Sequence, residues 1–174
     1  MVSGRLDSPR MRAIVQSSFG DPSVLELAEV QRPEPAGTEV LVRVQAAGVN
    51  PVDWKTRAGR GPLREPPFTV GWDVAGEVVA LGQGVTRFAV GDRVFGMPRF
   101  PREAASYAEY VTAPSRHLAR TPDGLSDVEA GALPLAALTA WQALVDIAAV
   151  ESGDRVLVHA AAGGVGHLAA QIAK

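Results

Sequence analysis

No cysteine occurs among the 174 residues of this chain. Its absence excludes disulfides, thiolate metal sites and a cysteine nucleophile, and leaves the redox compartment open. Histidine is scarce: His117, His159 and His167 lie far apart and show no metal-ligand spacing. Charge of one sign is lacking as well. Seventeen Lys and Arg against nineteen Asp and Glu leave a formal net charge of -2, so no basic field invites nucleic acid or an anionic membrane. No run is long and apolar enough to span a bilayer. The opening MVSGRLDSPR has no apolar core of a secretory signal. These absences point to a cytoplasmic protein with neither nucleic-acid nor membrane partners.

What is present fits a soluble globular chain, with 47% hydrophobic and 21% charged residues. Residues 1–10 read as a loose, disordered extension, because a second methionine, Met11, directly precedes the strand-like RAIVQ. MRAIVQ and SVLELAEV are β-type runs separated by the turn-forming FGDPS. In EVLVRVQAAGVN the valines Val40, Val42 and Val44 alternate with Leu41, Arg43 and Gln45, the period of a half-buried strand. PVDWKTRAG predicts a short helix, with Pro51 in its first turn and Gly59 as a left-handed cap. VAGEVVALG, Arg93 to Met97, SYAEYVTAP and HLART add further short strands. Many short strands broken by glycine turns argue for a small barrel.

The texture changes at SDVEAGALPLAALTAWQALVDIAAV. Ser126 and Glu129 have the spacing of a capping box, and Pro134 suits the first position of a second helix. Leu138, Trp141, Leu144, Val145, Ile147 and Ala148 keep a helical period through it. RVLVHA then reads as a buried strand running into the turn Ala161-x-Gly163-x-x-Gly166, with HLAAQIAK continuing as a helix. Ala161 and Gly163 would let the backbone turn tightly beside a pyrophosphate, and Gly166 would let the helix pack close. The helix start at Gly164 and Val165 would offer free N–H groups and a partial positive charge. Alone, such a turn is equally compatible with a site that binds nothing. The residue that reads the ribose would come about 20 positions later, so NAD and NADP are not distinguished.

AAGVNPVDWKTRAG, GWDVAGEVVALGQGVTRFAVGDRVFG, SYAEYVTAP, ALPLAALTAWQAL and VLVHAAAGGVGHLAAQIAK occur in this order and cover nearly everything from Met11 onward. Together they resemble the medium-chain dehydrogenase/reductase superfamily, and most closely its zinc-free quinone oxidoreductase branch, the zeta-crystallin-like proteins. The resemblance implies a β-rich GroES-like barrel over residues 11–125. Residues 126–174 would then hold linking helices and the first strand and helix of an α/β Rossmann domain. It implies NADPH, less often NADH, and hydride transfer to a quinone or an α,β-unsaturated carbonyl. It implies a homodimer for the full-length form. Where zinc-dependent relatives hold their catalytic metal, this chain has Asn50 and Trp72, so no zinc is expected.

The resemblance also supplies candidates. Asn50 would lie near the nicotinamide ribose and substrate, or else bond its own loop. Lys55 could help deliver a proton, or else be a solvated lysine on a short helix. Thr139 would lie near the nicotinamide end, or else bond its own helix carbonyl. Ala161, Gly163, Gly164, Val165 and Gly166 complete the expected cofactor set. Asp53 reads as a local cap, Trp54 and Trp72 as packing or pocket walls, and the histidines as structural. The chain reads as the front portion of a longer reductase, with a tail left mobile or aggregation-prone by an unpaired strand edge. The alternatives are a non-catalytic GroES-like binding module and an enoyl-thioester reductase.

Overall fold

The structure, a computed structural model, describes residues 9–174. The expected extension at 1–10 therefore lies largely outside the described residues, and its last residue, Arg10, already opens the first strand. The β-rich part is built from two antiparallel sheets. One has the order β2-β1-β4, from β1 (Arg10–Gln16), β2 (Leu25–Gln31) and β4 (Phe68–Thr69). The other has the order β7-β3-β5-β6-β8, from β3 (Glu39–Ala47), β5 (Val74–Leu81), β6 (Arg93–Gly96), β7 (Tyr110–Pro114) and β8 (Leu118–Arg120). Residues 107–109 join the sheets. Ile14 N–H donates to Tyr107 O, Glu109 N–H to Arg12 O and Val44 N–H to Glu109 O.

Alternation places the core. Val40 and Val42 of β3 are fully buried and pack with Val74, Val78, Phe88, Val94, Val111, Ala113 and Leu118. Burying each large apolar side chain contributes roughly 1.5–3 kcal/mol. Leu41 is buried too, against the simple alternation, although it lies outside the cluster that Val40 and Val42 join.

Helix α1 (Pro51–Arg57) starts with proline at its first turn. It ends where Gly59 takes φ +78°, with Arg60 N–H donating to Lys55 O and Gly59 N–H to Thr56 O, the paired bonds of a left-handed cap. Helix α2 (Asp127–Ala132) begins in the expected reciprocal box: Glu129 N–H donates to Ser126 Oγ at 3.2 Å and Ser126 N–H to Glu129 Oε2 at 2.9 Å. Replacing Ser126 by alanine is expected to cost about 1 kcal/mol. Amide exchange of the first turn of α2 should rise accordingly, and unchanged exchange there would refute the cap's contribution.

Helix α3 (Pro134–Trp141) runs into a wider π-helical turn over Gln142–Ile147, where Ala148 N–H donates five residues back to Ala143 O. The helical period expected here is present as helix through Ile147. Of Leu138, Trp141, Leu144, Val145, Ile147 and Ala148 only Leu144 is buried, together with Ala136 and Ala140. Small residues line that face because α3 is approached closely there. Helix α4 (Gly164–Ile172) packs on it, and Ala140, Leu144 and Ala169 form a second small core with Val150, Val158, Leu168, Ile172 and Ala173 around it. Helix α4 thus packs on α3, while residues 151–157 before it are exposed. Residues 154–158 make no ladder, because among the described residues no strand lies beside them. Leu157 is 81% exposed, so this segment is not buried as the apolar run suggested.

Candidate active site

Three stretches of chain converge on a buried carboxylate. Asp73 follows the fully buried Trp72 at the entrance to β5 and is itself inaccessible to solvent. Its Oδ2 accepts from Asn50 Nδ2 at 2.8 Å, and its Oδ1 accepts from Leu135 N–H at 3.0 Å, in the first turn of α3. One side chain thus ties the end of β3 and the start of α1 to the first turn of the linking helix. The approach is close: a Cβ on Gly48 would come within 2.8 Å of Asp73 Cβ and 2.5 Å of the Gly131 carbonyl. Burial raises the Asp73 carboxyl to about 6, against the two hydrogen bonds that favour its charge, and the nearby Asp53 pushes in the same direction as burial.

Asp53 caps α1 from its third position. Its Oδ2 accepts from Asn50 N–H at 2.7 Å and from the Tyr107 hydroxyl at 3.0 Å. Its other oxygen is buried without a partner. Burial raises the Asp53 carboxyl, and burial with the neighbouring Asp53 charge raises the Tyr107 hydroxyl. Asn50 is therefore held from both sides, by its backbone on Asp53 and by its amide on Asp73. One N–H of its amide remains for a ligand.

Beside this network lies a cleft of about 550 Å³, lined by Val52, Met97, Phe100, Leu135 and Leu138 and by the polar Arg116, His117, Thr139 and Gln142. Val52 belongs to α1, two residues from Asn50, and Leu135 is the residue whose N–H binds Asp73, so network and cleft share a wall. Thr139 lies in the cleft, with its Oγ1 donating to Leu135 O at 2.6 Å and its lone pairs free to accept. Lys55 does not line the cleft. It is exposed, with Nζ 5.6 Å from the Trp54 ring centroid. Trp72 packs edge-on against Phe100 and donates its indole N–H to Arg102 O at 2.7 Å.

The glycine turn sits at the start of α4. Gly163 N–H closes it on Ala160 O at 2.8 Å. The left-handed residue is Ala160, at φ +51°, and Gly163 itself is extended. Gly166 is buried against that turn, and a Cβ there would lie 2.7 Å from the Ala160 carbonyl carbon and 2.8 Å from Ala161 Cα. No side chain caps the helix start, so the N–H groups of Gly164, Val165 and Gly166 face a surface lined by backbone. Ala161, Gly163, Gly164 and Val165 are all exposed.

Sequence reasoning missed Asp73, Tyr107, His117 and Gln142. The available signal for Asp73 was a carboxylate between a tryptophan and an apolar strand. For the other three, nothing in the sequence announces the shared site. Among the described residues no group of three or more histidines and carboxylates could hold a metal ion, and no helix is long and apolar enough to cross a membrane.

The small barrel and its linking helices define a GroES-like domain, and a glycine turn opens the helix that follows them. Residues 36–123 match the alcohol dehydrogenase GroES-like domain, and the chain belongs to that family, within the medium-chain dehydrogenase/reductase superfamily. It is 43% identical over 167 residues to the quinone oxidoreductase of Lama guanicoe, covering 94% of this chain and 49% of that protein. Among solved structures it is similar to the quinone oxidoreductase of Coxiella burnetii, with a TM-score of 0.88 and 44% identity over 95% of this chain and 53% of the other. It also resembles a mycobacterial protein complexed with NADPH, with a TM-score of 0.82 and 40% identity over 92% and 49% of the two chains. The chain spans about half the length of the curated relatives it matches.

Proposed function

We propose that this chain carries the substrate-side half of a zinc-independent, NAD(P)H-dependent reductase of quinones or α,β-unsaturated carbonyls. The observation that carries the reading is the cleft between barrel and α3, in which apolar and polar side chains are mixed on both walls, with an anchored asparagine beside it. The apolar side chains suit a flat conjugated ring, and a few fixed polar groups suit its oxygens. Bound NAD(P)H would supply two electrons as hydride, and a proton from water would complete the hydroquinone or the saturated carbonyl.

The turn fits the diphosphate of such a cofactor. Gly164, Val165 and Gly166 offer N–H groups at a helix start, and no side chain at these positions except Val165 stands in the way. Zinc independence is supported by the donor set where the metal would sit. The Trp72 indole has no lone pair in its plane to give and its N–H is bonded to Arg102 O, and the Asn50 amide is a poor zinc ligand already directed at Asp73. Asn50 would orient ribose or substrate, Thr139 would accept a hydrogen bond at the cleft rim, and Asp73 would hold both elements in register.

Titrating NADPH into the ¹⁵N-labelled chain is expected to move the amide resonances of Gly164, Val165 and Gly166 ahead of those in the barrel. If those three stay fixed at millimolar NADPH while other amides respond, the cofactor reading is wrong.

A further inference from the structure

The cleft holds a second polar feature that the family reading leaves without a role. His117 ends the tight turn Ser115–His117 before β8 and lines the cleft opposite α3. The backbone N–H of Arg99 donates to its Nδ1 at 3.0 Å. A ring nitrogen that accepts carries no proton, so in the neutral imidazole the proton sits on Nε2. Among the described residues Nε2 has no protein partner.

The N–H that fixes this tautomer is itself held firmly. Arg99 has φ +60°, a conformation an arginine adopts only when its surroundings impose it. Its guanidinium supplies that constraint, donating to the Thr112 carbonyl, to Thr112 Oγ1 at 3.0 Å and to Glu39 Oε1 at 2.5 Å. The backbone is thus pinned to β7 and β3 with its N–H aimed at the ring. Burial, and then the positive charges of Arg116 and Arg99, depress the imidazole's proton affinity below its ordinary value and favour the neutral form near pH 7. The ring lines the cleft together with Val52, Met97, Phe100, Leu135 and Leu138, so its second nitrogen is available to a ligand bound there.

We infer that His117 is a catalytic residue of this cleft: its Nε2–H binds the carbonyl oxygen of the conjugated ligand and turns that oxygen away from α3. The inference rests on the quinone or enone reading above. His117 acts as a neutral donor and not as the proton source, because protonating Nδ1 would break the Arg99 bond that holds the ring. Arg116, exposed at the rim, keeps its hydration and does not replace this donor.

The test uses the intact 174-residue chain and 2-cyclohexenone, an enone with a single carbonyl. Methyl resonances of Val52, Met97, Leu135 and Leu138 report whether the cleft takes the enone. The ring-nitrogen shifts of His117 and the carbonyl stretch of the bound enone report the hydrogen bond. All three are expected to respond with one saturation curve. His117→Phe should weaken binding about three- to tenfold and raise the carbonyl frequency, while His117→Gln, which keeps an N–H, should retain part of both. If the methyls move but the His117 ring nitrogens do not, or if His117→Phe leaves affinity and frequency unchanged, the inference is overturned and the cleft reading stands. If the methyls do not move, both fall. The ring-nitrogen measurement needs no variant, so a poorly folded His117→Phe does not decide the matter.

Discussion

Asp73→Asn is expected to stabilise the chain at pH 7 by about 2 kcal/mol and to remove most of the fall in stability between pH 4 and pH 6. The carboxyl is raised from 3.8 to about 6, chiefly by burial. Each pKa unit corresponds to about 1.4 kcal/mol, so ionised Asp73 costs the folded state up to about 3 kcal/mol relative to its protonated form. The sign follows from proton counting. Between 3.8 and about 6 the folded chain binds more protons than the unfolded one, so this contribution to stability is greatest at low pH and is lost as pH rises through 6. Asp53, also raised, adds a dependence of the same sign and remains in the variant. Asparagine can keep both bonds: its Oδ1 can accept from Leu135 N–H, and its amide nitrogen can donate to Asn50 once the Asn50 amide rotates by half a turn.

Alanine at the same position separates hydrogen bonding from charge. It leaves the Leu135 N–H and the Asn50 amide without an acceptor, at about 1–3 kcal/mol each. At pH 7 relief of the buried charge offsets much of that loss. Near pH 4, where the native carboxyl is already neutral, nothing does, and the alanine chain should be clearly the weaker. Urea titrations of the three proteins from pH 4 to pH 7 distinguish these outcomes. An Asp73→Asn chain that keeps the wild-type pH slope would show that the slope arises elsewhere. The stabilised variant should also bind ligand differently, because its Asn50 turns an NH₂ group, instead of Oδ1, away from residue 73. A network kept at a cost to stability is what a site that fixes an amide's orientation requires.

The barrel was legible because its signals are local. Valines at alternate positions of β3, glycine and proline at the ends of α1, and the Ser126–Glu129 spacing each act within one element. They needed no knowledge of where the chain goes next. Which face α3 buries was not legible, for the opposite reason. It depends on the helix's neighbours, and α4 packs against Ala140 and Leu144 while Leu138 and Trp141 stay exposed. The turn at Ala161–Gly166 was readable as a motif, but the unpaired segment before it was not, since a strand exists only beside another strand. The site was half legible. Asn50 and Thr139 could be named from the resemblance, whereas Asp73, Tyr107 and His117 reach it from residues 73, 107 and 117, a convergence only the folded chain displays.

Gly166→Ala is expected to destabilise the packing of α4 on α3 by about 3 kcal/mol and to abolish any response of the turn to NADPH. The added methyl has no flexible neighbour to displace. It would meet the Ala160 carbonyl oxygen well inside contact distance, the carbonyl carbon at 2.7 Å and Ala161 Cα at 2.8 Å, all of them backbone or adjoining it. Overpacking of this kind typically costs about 1–3 kcal/mol when side chains can yield, and backbone yields less. Ala160 cannot simply relax, because its φ of +51° and its hydrogen bond to Gly163 N–H close the same turn. Gly164→Ala is the matched control. Nothing lies within 4 Å of its added methyl, and alanine favours a helix over glycine by up to about 1 kcal/mol, so that chain should be unchanged or slightly firmer. Amide exchange in α4 and the methyl resonances of Leu144, Leu168 and Ile172 report the docking directly. Equal behaviour of the two variants would mean that close approach does not require the glycine at 166. If only Gly166→Ala releases α4, the turn is shaped by backbone contact, the condition under which a diphosphate can lie against the first N–H groups of the helix.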